Sequence, residues 1–343
     1  MPGLRETGDA IRRFILTGVE EHPNDITKLT ADSFAISTQA VNLHIKKLMR
    51  DRLLAKEGHA RTTAYKLVTL SEWNRTYSLT SPLDEYDVWE KDVRPVIGDL
   101  PENVLDIWRY GFTEMLNNAI DHSAGESVIV QAKKTAVNTE MLISDDGIGI
   151  FKKIQNALNL SDERHAVLEL TKGKLTTDKT KHSGEGIFFT SRIFDSFDIL
   201  SGGIYFSHTF GSPEDWVLQR NSASGTAIWL KIDDHSARDR GEIYDQHETP
   251  GEYSFDKTVV PVNLAQYGSD DLVSRSQAKR LLTHLDKFKT VVLDFKGVRT
   301  IGQGFADEVF RVFRREYPAI ELIHTNANEE VEKMIRRAEE NTI

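Results

Sequence analysis

The sequence predicts a multidomain α/β protein, a small helical unit followed by two α/β units. Three observations predict it. The chain has 343 residues, more than one ordinary core of about 100–200 residues accounts for. Helical periodicity in residues 1–70 gives way to two short runs of β type, and beyond residue 100 helical and strand-like segments alternate in the manner of layered α/β units. Charge is divided along the chain as well. The net charge is -10, yet residues 1–70 hold 11 Lys/Arg against 8 Asp/Glu, so a surplus of +3 there faces -13 in the remainder.

Composition excludes several classes. No stretch approaches the roughly 18–20 unbroken apolar residues of a membrane span, and the first 30 residues carry Asp, Glu and Arg where a signal peptide is apolar. A soluble, cytoplasmic protein with no membrane partner is the expectation. Cysteine is absent, which removes disulfide frameworks, thiolate zinc sites and cysteine nucleophiles. The acidic average argues against a nonspecific nucleic-acid coat, so any DNA contact belongs to the N-terminal unit.

In order along the chain, Ile11, Phe14, Ile15 and Val19 recur at helical spacing until His22-Pro23-Asn24 breaks the pattern. A short helical piece spans Ile26 to Ala31, and Ser37 can cap a third helix carrying Val41, Ile45 and Leu48 on one face. Leu53 to Lys56 and Thr63 to Leu67 then read as two strands around a tip at Gly58 to Arg61. Three helices and a hairpin make a winged helix-turn-helix domain over residues 1–70. Residues 71–100, with Pro82, Pro95 and Pro101 amid and just after charged and aromatic residues, read as a connector that contains a helix and packs on the next unit. Residues 101–235 form an α/β sandwich. Residues 240–343 form a second α/β unit, with strands at Thr258–Val262 and Val291–Phe295 and helices near Ser274–Leu285, Gly304–Tyr317 and Glu329–Glu340.

Four polar pieces of the middle unit bear chemistry. Glu114, Asn118 and His122 recur at i, i+4 and i+8 on one helix face. The carboxamide oxygen of Asn118 suits Mg²⁺, which prefers oxygen ligands shared with phosphates, and Glu114 can orient or deprotonate a water. Next, Asp145-Asp146-Gly147-Ile148-Gly149 ends a strand in a turn whose glycines allow close approach to a ligand. Asp145 can accept a hydrogen bond from an exocyclic amine such as that of adenine. Gly184-Glu185-Gly186 opens a helix, where amide hydrogens and the helix dipole favour phosphate. Ser224-Gly225-Thr226 supplies a further turn and a hydroxyl at a strand start.

In this order and separation the four pieces resemble the N, G1, G2 and G3 boxes of the GHKL superfamily of ATPases and kinases (gyrase, chaperone, histidine kinase, MutL), over roughly residues 85–235. The resemblance implies ATP and Mg²⁺ as ligands, with Asn118 holding Mg²⁺ and Asp145 reading adenine. Glu114 matches the catalytic base, and Gly147, Gly149, Gly184, Gly186 and Thr226 complete the nucleotide-binding set. Residues 151–183 become an ATP lid carrying Lys172, Lys174, Lys179 and Lys181, which either meet phosphates or lie on solvated surface. Asp146 departs from the family's usual Asn and adds a carboxylate near the nucleotide.

The flanks resemble other families. Ile36 to Leu48 followed by Leu53-Leu54 is similar to winged-helix transcription regulators, with Gln39 and Asn42 facing base edges and Ser37, Thr38, Lys46 and Arg61 anchoring DNA phosphates. Val291 to Glu308 resembles STAS-like domains fused behind GHKL domains. Relatives are phosphorylated on a serine in the turn after this strand, but Gly302, Gln303 and Gly304 stand there and Thr300 is the one nearby hydroxyl. A regulatory docking role with a protein partner is expected instead. Together these imply an ATP-responsive transcriptional regulator. The alternative is a protein kinase of the histidine or anti-sigma serine type acting on a separate partner, and the sequence leaves open whether ATP is hydrolysed, transferred or only bound. Oligomeric state is likewise open, a homodimer being the form in which such regulators commonly read two half-sites.

Overall fold

A computed structural model describes residues 4–59, 62–175, 184–212, 216–248, 255–266 and 271–340. Helices α1 (Leu4–Gly18), α2 (Ile26–Phe34) and α3 (Thr38–Arg50) bury the predicted stripe around Ile15, Val19, Ile26, Val41, Ile45 and Leu48. Phe14 meets Phe34 edge to face, with ring centroids 5.4 Å apart. The chain leaves α2 through Ala35 in the left-handed region, and Ser37 starts α3 by accepting a hydrogen bond from the Ala40 amide at 3.2 Å. That cap satisfies one of the amides a helix start leaves unpaired. Ser37→Ala is therefore expected to cost about 1 kcal/mol, measured as a shift of the denaturant midpoint. Strands β1 (Leu54–Glu57) and β2 (Ala64–Leu67) pair antiparallel, Leu54 opposite Leu67.

Residues 71–100 do more than connect. Ser71–Ser78 is β3, the edge strand of the central sheet, in register with β4 (Ser127–Lys134) along its whole length. Charged and polar residues on its solvent side obscure the alternating pattern, as edge strands permit. A helical stretch follows, α4 (Glu85–Val88), a π turn (Trp89–Val93) and α5 (Arg94–Ile97), which buries Trp89 and Val93. The five-stranded sheet is antiparallel throughout, in the order β3-β4-β5-β7-β6, with β5 at Asn138–Asp145, β6 at Ser196–Thr209 and β7 at Trp216–Asp233. Helix α6 (Glu102–His122) runs beneath it and buries Val104, Ile107, Trp108, Phe112, Met115 and Leu116. Helices α7 (Ile150–Leu158), α8 (Glu163–Lys172) and α9 (Gly186–Ile193) complete that layer.

After α10 (Arg240–Asp245), three parallel strands lie in the order β10-β9-β8: β8 (Lys257–Pro261), β9 (Thr290–Asp294) and β10 (Glu321–Thr325). Strand β10 was not among the predicted elements; its five residues include Glu, His and Thr beside only two aliphatic side chains. Helix α11 (Arg275–Leu282) is opened by a capping box of Ser274 and Gln277. A second helical stretch comprises α12 (Gln303–Asp307), a π turn (Glu308–Phe313) and α13 (Arg314–Glu316), and α14 (Glu329–Glu340) comes after β10. No helix among the described residues is long and apolar enough to cross a membrane.

Both flanking units are seated on the middle one. Val137, in the β4–β5 turn, is buried in the N-terminal helical core, and Glu20 of that unit accepts from Asn138 Nδ2 at 3.0 Å and Lys231 Nζ at 2.7 Å. On the C-terminal side, Thr258 Oγ1 of β8 donates to the Lys172 carbonyl of α8 at 2.7 Å.

Candidate functional site

A cavity of about 270 Å³ opens between α6, α7, the end of β5 and the start of α9. Glu114, Asn118, Asp145, Gly184, Gly186 and Thr226, which come from four separate segments, all line it. His122 lines it too, so the polar stripe of α6 faces the cavity along two turns. Met115, Ala119, Ile143, Ile154, Leu170 and Ile228 make an apolar wall. An apolar cavity with a few converging polar groups is the usual form of a small-molecule site.

Asp145 sits where β5 ends. Its Oδ1 accepts from the Gly147 amide at 2.9 Å and the Thr226 amide at 3.3 Å. Burial raises its pKa, and those two amides pull the other way. Thr226 Oγ1 accepts from the Ile150 amide at 2.9 Å, which fixes the first turn of α7 against β7. Residues 224–226, expected as a turn, are instead a β-bulge inside the continuous strand β7: Ser201 of β6 pairs with Thr226, but Gly202 pairs with Ala223. The unpaired residues bend the strand there, and this brings the Thr226 amide onto Asp145.

Gly147 and Gly149 do not line the cavity; they shape the turn beside it. A Cβ on Gly147 would stand 2.1 Å from the Ser123 carbonyl oxygen at the end of α6. Gly149, with φ +85°, precedes α7 as its N-cap. The Gly184 carbonyl accepts from the Leu175 amide at 3.1 Å. Gly186 begins α9 directly against Glu114, whose Oε2 would lie 2.0 Å from a Cβ at that position. The carboxylate therefore packs against the Gly186 backbone in the space a side chain there would fill.

Asp146 turns away from the cavity. It is exposed, and it accepts from the Glu126 and Ser127 amides at 2.8 and 3.0 Å and from Ser127 Oγ at 2.7 Å. The extra carboxylate therefore secures the start of β4 rather than facing the site.

Lys172 and Lys174 do not take the places expected of lid lysines. Lys172 is 1 % exposed. Its ammonium reaches Glu169 Oε1 at 2.7 Å and the backbone carbonyls of Thr283 and Arg280, at the end of α11, at 2.8 and 3.4 Å. Glu169 Oε2 in turn bonds His284 Nδ1 at 2.8 Å. Lys174 donates to the Lys287 carbonyl and lies over the Phe288 ring, 5.0 Å from its centroid. Both lysines fasten the middle unit to the C-terminal one. Lys179 and Lys181 lie outside the described residues.

Sequence reasoning missed Lys153, which lines the cavity from α7. Ile150, Lys153 and Ile154 share one helix face at i, i+3 and i+4, and that spacing was the available signal.

On the N-terminal unit Thr38, Gln39 and Lys46 are exposed and Asn42 is half-buried, all on α3. Ser37 is exposed and its oxygen is engaged as the helix cap. Arg61 lies outside the described residues. Leu43, not singled out from sequence, is 68 % exposed between Gln39 and Lys46. No curated protein sequence matches the chain. Within the C-terminal unit, residues 277–332 match the family model of a STAS-like domain of unknown function (DUF4325), so this part of the chain carries a STAS-like domain.

Proposed function

We propose that the protein is a Mg²⁺-ATP-binding regulator of GHKL type that couples nucleotide state to DNA binding by its winged-helix domain. The carrying observation is that Glu114, Asn118, Asp145, Gly184, Gly186 and Thr226 come from four separate segments and line one cavity. The residues suit the ligand. Asp145 offers a carboxylate to an exocyclic amine beside an apolar wall, and the glycine at the start of α9 lets phosphate approach the first amides of that helix. Asn118 would offer its carboxamide oxygen to Mg²⁺ shared with phosphate oxygens. Glu114 stands one turn from Asn118, where it can orient a water or a hydroxyl. ATP bound there supplies the γ-phosphoryl group and its charge.

DNA is the proposed partner of the exposed face of α3. Gln39 and Asn42 offer amide donors and acceptors for base edges, Lys46 a charge for phosphate, and Leu43 an apolar contact of the kind thymine methyls take. Regulation requires that nucleotide favour one arrangement of the units over another. Helix α8 is the physical connection: Leu170 lines the cavity while Glu169 and Lys172 hold the STAS-like unit, where a protein partner would act.

Asn118→Ala tests the reading. It should weaken Mg²⁺-ATP binding by at least about tenfold, the scale of losing a hydrogen bond or ligand to a charged group, with the unfolding temperature unchanged. Titration calorimetry on both proteins decides it, and unaltered ATP affinity would sink the site. With γ-labelled ATP, label retained on protein would move the reading to a kinase, while release of free phosphate that Asn118→Ala abolishes would make it an ATPase.

A further inference from the structure

We propose that Lys153 is the polyphosphate-binding cation of this cavity, engaging the phosphate oxygens of a nucleoside di- or triphosphate; the inference rests on the nucleotide reading above. Among the described residues Lys153 is the one lysine or arginine that lines the cavity. It sits one turn into α7, its amide bonded to the Gly149 carbonyl at 3.0 Å, so the glycine turn after β5 sets its direction. Its neighbour Lys152 points elsewhere, donating to Gln155 Oε1 at 2.9 Å and standing 3.9 Å from Glu163.

The ammonium of Lys153 donates to the His122 carbonyl at 2.9 Å, its one hydrogen-bond acceptor among the described residues. An ammonium has three donors, so two remain for a ligand. That carbonyl belongs to the last residue of α6, four residues beyond Asn118 and about 6 Å along the helix. Lys153 and the carboxamide suited to Mg²⁺ both line the cavity. Burial works against its charge, and Asp121 of the same α6 turn is the opposing carboxylate. A partly desolvated cation with unspent donors gains more from an anionic ligand than an exposed one does. Of the lysines anticipated as phosphate contacts, Lys172 and Lys174 serve the C-terminal unit, and Lys179 and Lys181 lie outside the described residues.

A structural role as a cap on α6 is the competing account, and affinity ratios separate the two. Binding of ATP, ADP and adenosine is measured at constant Mg²⁺ for the full chain, for Lys153→Met and for Lys153→Arg. ATP and ADP affinity should fall about tenfold to a hundredfold in Lys153→Met, adenosine affinity should hold, and Lys153→Arg should recover most of the loss. Equal shifts for ATP and adenosine, or no shift for either, would overturn the role of Lys153 while leaving the nucleotide site standing. Failure of the folded wild-type chain to bind any of the three would overturn the nucleotide reading and this inference with it. Should Lys153→Met not fold, Lys153→Gln with the same three ligands separates the two accounts in the same way.

Discussion

Replacing Lys172 with alanine is expected to cost the folded protein about 3–5 kcal/mol, the scale of breaking a buried ion pair from one side. The ammonium is enclosed by Glu169 and by the carbonyls of Thr283 and Arg280. Burial lowers the pKa of Lys172, and the Glu169 carboxylate opposes that shift. Its removal strips Glu169, 4 % exposed, of one of its two partners. Urea unfolding of the variant should show the midpoint falling, and a loss below about 1 kcal/mol would mean that the pair behaves as a surface bridge. The double variant Glu169→Leu with Lys172→Met should regain much of the loss, because apolar residues of similar volume replace buried pairs at little cost.

A pH dependence accompanies this pair. Burial works to raise the pKa of Glu169, but the His284 hydrogen bond and the Lys172 charge outweigh it and hold the group below its ordinary value. A carboxylate depressed in the folded state contributes stability that is present above its unfolded pKa, about 4.3, and that is lost as pH falls through the folded value. The wild type should therefore lose stability in that acid window more steeply than the double variant.

Gly225→Ala should be nearly as damaging, about 3–5 kcal/mol by a left-handed backbone penalty and a collision together. Gly225 has φ +77°, and a Cβ there would stand 1.9 Å from the Asp145 carbonyl oxygen. Backbone cannot rotate out of the way as a side chain would. The strand must shift, and the shift withdraws the Thr226 amide from Asp145, so ligand affinity should fall with stability. Gly211→Ala is the control. Its φ is +74° and nothing lies within 4 Å of the added Cβ, so it should cost only the conformational part, about 1–2 kcal/mol. Similar thermal shifts in the two variants would show that the collision is relieved elsewhere.

Particular residues show why some of this was legible in the sequence and some was not. The three N-terminal helices and the hairpin followed from Val41, Ile45 and Leu48 at helical spacing and from the β-type run into Leu67. The edge strand Ser71–Ser78 was hidden because most of its residues are polar or charged and only Tyr77 is buried. Asp146 illustrates a limit of motifs: adjacent carboxylates in one turn point to opposite sides of it, one to the cavity and one to the amides of residues 126–127.

Local spacing and residue chemistry were enough to read off the main periodic elements and six polar and glycine positions of the middle unit that line one cavity, and resemblance gave the place of the STAS-like unit. Long-range packing settled the rest. It makes Gly147 and Gly149 shape a turn rather than line the cavity, sets Gly225 in a bulge, joins α8 to the STAS-like unit through Lys172, and brings Lys153 to the cavity wall. Each of these depends on which distant backbone a residue is pressed against, and burial of charge and steric exclusion between remote segments leave no period or spacing in the chain.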